Sequence, residues 1–223
     1  MKFSGSILPI MQLEIHNVLP LYFDESKRNL SEIWGRELLF KKSEFIKIVA
    51  PSGSGKTSFI HFLYGLRKDH SGTILFNGKN ISSYTPEEFA ECRKNHISII
   101  FQDMRLFPKQ TVQENIEIKR QLNPFHPAEK ISEMAKRLGI GDKLQSKCET
   151  CSYGEQQRVS IIRSLMQPYD FLLMDEPFSH LDDANSQKAM ELILEESRKR
   201  EAAIIFVNLE RVDYFPFSRL LHL

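Results

Sequence analysis

The chain has 223 residues, of which 41% are hydrophobic and 26% charged, so we expect a packed core in one large domain or in two small lobes sharing a core. Its 30 basic residues nearly balance its 29 acidic residues, and a net charge of +1 gives no electrostatic sign of nucleic-acid binding. Three cysteines are too few for a disulfide framework and are typical of a reducing compartment. No apolar run approaches the roughly 20 residues of a membrane helix, and no convincing signal peptide follows Met1, so we expect a cytosolic protein.

Short apolar runs alternate with helical patterns along the chain. This alternation predicts an α/β fold with a largely parallel central sheet. Three of the runs are bounded by polar turns, as the buried strands of such a sheet are: Phe45–Val49, Phe171–Met174 and Ile204–Val207.

A glycine-rich loop follows the first of these runs and precedes a helical stretch that ends near Gly65. Its sequence, Ala50-Pro51-Ser52-Gly53-Ser54-Gly55-Lys56-Thr57, has the strand–loop–helix context of a phosphate-binding P-loop. Glycines allow backbone N–H groups to curl around a phosphate, and the helix offers its positive N-terminus. Lysine adds a charge for the outer phosphates, and threonine can ligate Mg²⁺. The nucleotide ligands predicted here are Ser52, Gly53, Ser54, Gly55, Lys56, Thr57 and Ser58.

The middle of the chain carries helix signals. Thr85–Glu88 and Thr111–Glu114 both have the spacing of a capping box, and a third helical stretch runs from Pro127 to Leu138. These signals predict a helical insert from about residue 85 to residue 150.

An acidic pair, Asp175-Glu176, ends the apolar run Phe171–Met174. Carboxylates at the carboxyl end of a strand lie where α/β proteins bind their ligands. We therefore expect Asp175 to hold Mg²⁺, and Glu176 to polarise the attacking water as the catalytic residue together with Lys56.

Further motifs resemble those of ATP-binding cassette (ABC) proteins. Cys151-Ser152-Tyr153-Gly154-Glu155-Gln156-Gln157-Arg158 resembles the signature motif Leu-Ser-Gly-Gly-Glu-Gln-Gln-Arg of that family. Ile100–Asp103 is similar to its Q-loop and Ser179–Asp182 to its D-loop, and Tyr22 has the place of the aromatic residue that stacks on adenine. The motifs follow the order found in the family and cover nearly the whole chain.

The resemblance implies a P-loop NTPase core with a mainly parallel sheet, an N-terminal antiparallel β region and an inserted helical subdomain. The expected single cassette domain spans residues 1–223, with the core at 1–84 and 151–223 and the insert at 85–150.

The resemblance also implies the ligands and the assembly. The family works as a head-to-tail dimer in which each ATP lies between the P-loop of one copy and the signature motif of the other. Ser152 and Gly154 would then contact the γ-phosphate of the partner's ATP, Asp182 would lie beside the nucleotide, and Tyr22 would stack on its adenine. The expected cofactors are ATP and Mg²⁺, and the expected metal ligands are Thr57, Gln102 and Asp175.

Three positions depart from the family pattern. Cys151 replaces leucine, and as a small hydrophobe it can fill similar space. Tyr153 replaces the first glycine of the signature motif, which would be costly if that position needed a positive φ or a close backbone approach, so we expect a working but weakened trans contact. Leu209 replaces a histidine that contacts the γ-phosphate, and leucine cannot hydrogen-bond a phosphate, so we expect slow hydrolysis.

Cys148 and Cys151 also form a C-x-x-C pair. A single pair without nearby histidines is poor evidence for zinc. We favour two structural thiols over a redox switch at the signature motif, although a helix N-terminus can lower the pKa of a thiol.

The leading hypothesis is an ATP-hydrolysing subunit, most similar to the cassettes of lipoprotein-release, macrolide-efflux and cell-division complexes. It would dimerise, as a homodimer or heterodimer, and drive an integral membrane subunit from the cytoplasmic face of the inner membrane. A binding switch that hardly hydrolyses ATP is the second hypothesis. A soluble cassette of DNA repair or translation is the third, but the chain has neither a long coiled-coil insertion nor a second cassette.

Overall fold

Two β-sheets form the framework of the protein over residues 11–23, 30–209 and 215–223, which are the residues described by the computed structural model. The strands are β1 (Gln12–Pro20), β2 (Glu37–Lys41), β3 (Phe45–Val49), β4 (His70–Phe76), β5 (Lys79–Asn80), β6 (Ile97–Ile100), β7 (Phe171–Asp175), β8 (Ala203–Asn208) and β9 (Arg219–His222). The helices are α1 (Lys56–Leu63), α2 (Pro86–Asn95), α3 (Val112–Leu122), α4 (Glu129–Arg137), α5 (Tyr153–Leu165) and α6 (Asp183–Lys199).

Within the described ranges, one sheet is antiparallel and the other is parallel. The antiparallel sheet has the strand order β2-β1-β4-β5, and the parallel sheet has the order β6-β7-β8-β3-β9. The expected α/β fold, with a mainly parallel core sheet and an N-terminal antiparallel region, is confirmed.

Strands β7 and β8 of the parallel sheet are apolar except at their last residues because both of their faces are covered. Leu172 and Met174 of β7 contribute to one hydrophobic cluster, whereas Phe171 and Leu173 contribute to the other. Successive side chains of a strand point to opposite faces, so an unbroken apolar run supplies both layers. This explains why the short runs in the sequence mark the sheet core.

The register of the parallel sheet brings distant parts of the chain to one edge. Val49, at the end of β3, pairs with Asn208, and Asp175, at the end of β7, pairs with Val207. The loops that leave β3, β7 and β8 therefore emerge side by side at the carboxyl ends of the strands, where open α/β sheets bind ligands.

The boundary expected for the helical insert is wrong in one respect. Ile97–Ile100 lie inside the range 85–150, but they form β6 and pair with β7 in the core sheet. All four residues are buried, and a four-residue apolar run between two helix-capping signals is easily overlooked. Whether the rest of this range acts as a separate subdomain stays a prediction.

The helix signals of the middle segment are confirmed. Thr85 and Thr111 cap α2 and α3, and each forms a complete capping box with the glutamate three residues later. The third stretch, expected from Pro127 to Leu138, forms α4 over Glu129–Arg137. Apolar residues of α3 and α4 share a hydrophobic cluster with α5, which joins this segment to the parallel sheet. None of the helices in the described ranges has the length and hydropathy needed to cross a bilayer.

A β-bulge in the antiparallel sheet requires glycine at position 72. The pairing of β1 with β4 shifts register between His16 and Leu19, and Asn17 has a φ of 53°. Gly72 has a φ of +75°, and a Cβ at this position would overlap the backbone carbonyl of Asn17. Gly78, in the turn after β4, has a similar φ of +79° but open space around the same position.

We predict that Gly72→Ala destabilises the protein more than Gly78→Ala does. Both substitutions force an L-residue into the left-handed region at a cost of about 1 kcal/mol, but only the first also displaces paired backbone, which should add roughly 2 kcal/mol. Equilibrium denaturation in urea measures both values. Equal losses of unfolding free energy would show that the bulge can relax around a methyl group.

Candidate functional site

The glycine-rich loop joins β3 to α1 and forms a cleft at the carboxyl edge of the parallel sheet. Gly53 and Gly55 have φ values of 76° and 97°, which glycine adopts without strain. Gly55 is the N-cap of α1 and supplies no side-chain hydrogen bond, so the first N–H groups of this helix have no side-chain cap. Such a helix end is an anion-binding site. The cleft is lined by Ser52, Gly53, Gly55, Lys56, Thr57, Ser58, Gln102 and Glu176.

Trp34, which the sequence analysis missed, supports this loop by a hydrogen bond and by close packing. The indole Nε1 of Trp34 donates a hydrogen bond to the carbonyl of Ser54 at 3.1 Å. A Cβ at Gly55 would lie 3.1 Å from the Trp34 ring, so glycine also allows the loop to lie close to the indole. Trp34 is 1% exposed and packs edge-on against Phe59 of α1. Its only signal in the sequence is that it is the single tryptophan, and nothing there places it beside the loop.

Lys56 is buried and its ammonium is fully engaged. Its Nζ donates to the carbonyls of Ala50 and Pro51 at 3.3 and 3.1 Å and lies 3.2 Å from Oε1 of Glu176. The expected phosphate-binding lysine and the expected catalytic glutamate therefore form an ion pair in this structure. A phosphate entering this cleft would compete with Glu176 for the ammonium of Lys56.

Asp175 is almost completely buried, and its charge is unsatisfied. It is 1% exposed, and neither carboxylate oxygen has a hydrogen-bond partner within the described part of the chain. Burial raises the pKa of Asp175 to about 6, and the nearby Thr57 hydroxyl and Lys56 ammonium oppose that rise. An unpaired buried carboxylate of this kind is a natural ligand for a cation.

Glu176 follows directly and has a strained backbone. Its φ of 45° lies in the left-handed region, which glutamate rarely occupies. Its N–H donates to the carbonyl of Val207 on the neighbouring strand at 3.0 Å. The strain turns the chain as it leaves β7, and the Glu176 side chain lines the phosphate cleft.

Gln102 connects the loop with the acidic pair. The Thr57 hydroxyl donates to Oε1 of Gln102, and Nε2 of Gln102 donates to Oε2 of Glu176, each at 3.4 Å. Together with the ion pair between Lys56 and Glu176, these long hydrogen bonds link four of the predicted site residues.

The oxygen donors of this site fit a magnesium ion. Mg²⁺ prefers carboxylate, hydroxyl and amide oxygens, and it is usually held by one or two protein ligands together with phosphate oxygens. The unpaired carboxylate of Asp175 provides the charge, and Thr57 and Gln102 provide neutral oxygens at the same edge of the sheet. In addition, the buried hydroxyl of Ser54 lacks a hydrogen-bond partner among the residues described.

Tyr22 lies beside the loop. Its hydroxyl shares a hydrogen bond of 2.6 Å with the hydroxyl of Ser58, and the guanidinium of Arg67 lies 5.3 Å from the ring centre. The tyrosine is 58% exposed, so its ring offers a surface for stacking. Its role at the adenine stays a prediction.

The signature segment forms the start of α5. Ser152 is the N-cap, its hydroxyl accepts from the N–H of Glu155 at 3.3 Å, and the carboxylate of Glu155 accepts from the N–H of Ser152 at 2.7 Å. This capping box was not noticed in the sequence, although Ser152 and Glu155 have the required spacing. The helix begins at Tyr153.

Tyr153 carries no backbone strain. It is the first helical residue and does not have a positive φ, so the backbone cost of replacing glycine there does not arise, whereas the weakened trans contact stays a prediction. Its ring is 69% exposed and lies 5.4 Å from the ring of His180. Gly154 allows close packing, because a Cβ there would lie only 3.0 Å from the carbonyl of His180.

Three predicted nucleotide ligands are separate from the glycine-rich loop. Across the described ranges, no hydrogen bond or ion pair joins Ser152, Gly154 or Asp182 to the glycine-rich loop. Asp182 instead caps α6, and its carboxylate accepts from the N–H of Asn185 at 2.8 Å. That hydrogen bond lowers the pKa of Asp182. Any contact of these three residues with a nucleotide stays a prediction.

Leu209 follows the end of β8 and is 44% exposed. The backbone beside it borders the glycine-rich loop, since the N–H of Ala50 donates to the carbonyl of Asn208 at 3.1 Å. Leu209 is therefore adjacent in sequence to the backbone that borders the beginning of the loop. Glu210, which follows, lies outside the described residues.

The C-x-x-C pair lies in the interior. Cys148 and Cys151 are 1% and 7% exposed, and Cys148 accepts a hydrogen bond from Nδ2 of Asn115 at 3.2 Å. Burial raises the pKa of Cys148 to about 11 and also raises the pKa of Cys151. Both thiols are therefore protonated near neutral pH, which disfavours redox chemistry.

Known proteins resemble this chain in sequence. The chain is 34% identical over 186 residues to the macrolide export ATP-binding/permease protein MacB of Nitrosomonas europaea, covering 82% of this chain but 28% of MacB. It is 33% identical to the ABC transporter ATP-binding protein YtrE of Bacillus subtilis, covering 75% of this chain and 74% of YtrE. It is 32% identical to the lipoprotein-releasing system ATP-binding protein LolD of Legionella pneumophila, covering 78% of each chain. The expected likeness to macrolide-efflux and lipoprotein-release cassettes is confirmed.

Solved structures share the fold. The ATP-binding cassette MJ0796, in a dimeric post-hydrolysis state bound to ADP and Pi, has a TM-score of 0.81 and 23% identity to this chain, covering 95% of this chain and 94% of its own. Residues 35–179 match the ABC transporter family. This match and the identity to YtrE and LolD show that the chain belongs to the ABC transporter family, as an ATP-binding cassette with the ATPase fold of that family.

Proposed function

We propose that the protein binds MgATP at the glycine-rich loop and hydrolyses it as the ATP-binding subunit of a membrane complex. One observation carries the proposal. A phosphate cradle, a buried lysine, an unpaired buried aspartate and a strained glutamate meet at a single edge of the parallel sheet. This is the set of groups that phosphoryl transfer from a nucleotide to water requires.

The residues would act in the following way. Backbone N–H groups of the loop and of α1 hold the phosphates, and Lys56 turns from Glu176 to the outer phosphates. Glu176, released from the ion pair, orients and polarises the attacking water. Asp175, Thr57 and Gln102 would hold Mg²⁺, which when bound neutralises charge on the phosphate oxygens.

We infer that two copies of such a cassette enclose ATP between them. The N-terminus of α5, with Ser152 as its cap and Gly154 in its first turn, carries the positive end of the helix dipole. That end suits the γ-phosphate of a partner's ATP. The dimeric ADP-bound state of MJ0796 supports this arrangement.

A membrane subunit is the proposed partner, reached from the cytoplasmic face of the membrane. MacB is named as an ATP-binding/permease protein and LolD as part of a lipoprotein-releasing system. This chain spans only 28% of MacB, so a permease partner would be a separate region or a separate chain.

A second candidate function is an ATP-held switch with little turnover. Leu209 favours it, because leucine cannot orient water or contact a phosphate. Removal of one preorganised transition-state contact typically costs about 3 kcal/mol, or roughly a hundredfold in rate. Binding should suffer less, since the cradle and the proposed magnesium ligands are intact.

The first prediction from the proposed function concerns Asp175. Because its pKa is raised above that of an unfolded aspartate, stability falls as the pH rises from about 4 to 6 and stays lower above that range. Asp175→Asn should therefore stabilise the nucleotide-free protein at pH 7.5 by roughly 1–3 kcal/mol, and by less near pH 4.5.

Thermal melting with and without MgATP measures this effect, with EDTA as the magnesium-free control. The variant should lose most of the stabilisation that MgATP gives to the wild type. The same gain from MgATP in both proteins would argue against Asp175 as a magnesium ligand.

The second prediction concerns dimerisation. Glu176→Gln keeps the shape of the side chain and removes the base, so MgATP should accumulate an ATP-bound dimer, which light scattering detects. Adding Lys56→Ala should abolish the dimer, because the polyphosphate loses its fixed positive charge. A Glu176→Gln protein that stays monomeric at every concentration would contradict self-association and direct the proposal to a heterodimer.

The third prediction concerns Leu209. Leu209→His should raise the rate of single-turnover hydrolysis at saturating ATP by about a hundredfold. Leu122→His, at an exposed leucine that ends α3, is the matched control and should leave the rate unchanged. Brisk hydrolysis by the wild type would contradict the idea, and so would a folded Leu209→His protein that is no faster.

A further inference from the structure

A buried glutamine links the signature helix to the catalytic loop. Gln157 lies in the second turn of α5 and has no exposed surface. Its Oε1 accepts a hydrogen bond from the N–H of His180 at 2.8 Å, and its Nε2 donates to the carbonyl of Glu176 at 3.4 Å. The oxygen and the nitrogen of the buried amide therefore both form hydrogen bonds with the backbone that follows β7.

The backbone of Glu176 needs such external contacts. Left-handed φ values are unfavourable for glutamate, so a φ of 45° persists only where neighbouring groups hold it. On its N–H side the restraint is the carbonyl of Val207, and on its carbonyl side the donors are Ser179 at 3.3 Å and Gln157 at 3.4 Å. Among these, Gln157 is the contact that comes from the signature helix.

His180 meets the start of α5 at three points. Its N–H is held by Gln157, its carbonyl lies where a Cβ on Gly154 would be 3.0 Å away, and its ring lies 5.4 Å from that of Tyr153. Because these contacts are close and the amide is buried, the beginning of α5 cannot shift without moving the loop from Glu176 to His180.

We infer that Gln157 is a positioning residue that holds the backbone of Glu176 and His180 in register with the helix capped by Ser152. This inference rests on the proposed ATP hydrolysis and on the proposed trans contact of the signature motif. A phosphate bound by the helix end of one copy would then act, through Gln157, on the placement of that copy's own general base. This side-chain amide would be one of the contacts through which the two ATP sites of a dimer communicate.

The inference predicts a separation of rate from affinity. The cleft proposed to bind the phosphates is not lined by Gln157. Loss of the amide should therefore misplace Glu176 and reduce the hydrolytic step while leaving ATP affinity nearly unchanged.

The test compares Gln157→Met with a matched control, Gln167→Met. Gln167 is also without exposed surface, but its Nε2 donates to the carbonyl of Arg93 at 2.7 Å, away from the catalytic loop. Gln157→Met should lower the single-turnover rate at saturating ATP about ten- to a hundredfold and leave ATP affinity within about threefold of wild type. Gln167→Met should leave the rate unchanged, whatever it does to the melting temperature.

A conservative variant separates positioning from simple destabilisation. In Gln157→Glu the buried carboxyl should be protonated at low pH and donate to Glu176 as the amide does. Its rate relative to wild type should recover as the pH falls and decline as the pH rises. A constant ratio across the pH range would overturn the inference.

Amide hydrogen exchange at His180 gives a readout that does not depend on turnover. In the nucleotide-free protein, Gln157→Met should speed this exchange selectively, whereas Gln167→Met should not. Unchanged exchange at His180, or a rate loss no larger than that of Gln167→Met, would overturn the inference. Absence of hydrolysis in the wild type would instead overturn the proposed function and leave the exchange result to decide the positioning role.

Discussion

Buried charge at the carboxyl edge of the parallel sheet is the constraint on which the rest of the site depends. Lys56, Asp175 and Glu176 are each less than 10% exposed, and burial of an ionised group is costly unless it is paired. Lys56 and Glu176 satisfy each other at 3.2 Å, whereas Asp175 remains without a partner. The nucleotide-free protein thus holds a balanced pair beside an unbalanced carboxylate, and a bound cation would supply the counter-charge that Asp175 lacks.

The surrounding structure holds these groups in place by rigid contacts. The parallel register sets β8 between the strands that end in the loop and in the acidic pair, so these two elements cannot drift apart without breaking the sheet. Trp34 donates a hydrogen bond to a carbonyl of the loop, and Gln102 connects Thr57 with Glu176 by hydrogen bonds. The strain at Glu176 is the local cost of turning its side chain into the cleft.

The signature helix α5 contacts this site from the other side of the sheet edge. Ser152 begins it with a capping box, Gly154 lets it approach His180, and Gln157 reaches the backbone of Glu176. Near its end, Arg163 donates to the carbonyls of Met104 and Arg105, two residues with positive φ in the segment after Gln102. One helix therefore contacts both of the chain segments that border the cleft.

The sequence by itself determined the features that depend on neighbouring residues. Left-handed glycines at positions 53 and 55, the capping boxes of α2 and α3 and the strands β3, β7 and β8 follow from local backbone preferences and from short apolar runs bounded by polar turns. The order of the motifs also indicated the family. Tertiary structure alone decided that Ile97–Ile100 join the sheet, that Trp34 supports the loop, that Gln102 meets Glu176 across 74 residues and that Asp175 is left unpaired. These facts depend on strand order and on which side chains meet across it, and local periodicity carries no information about either.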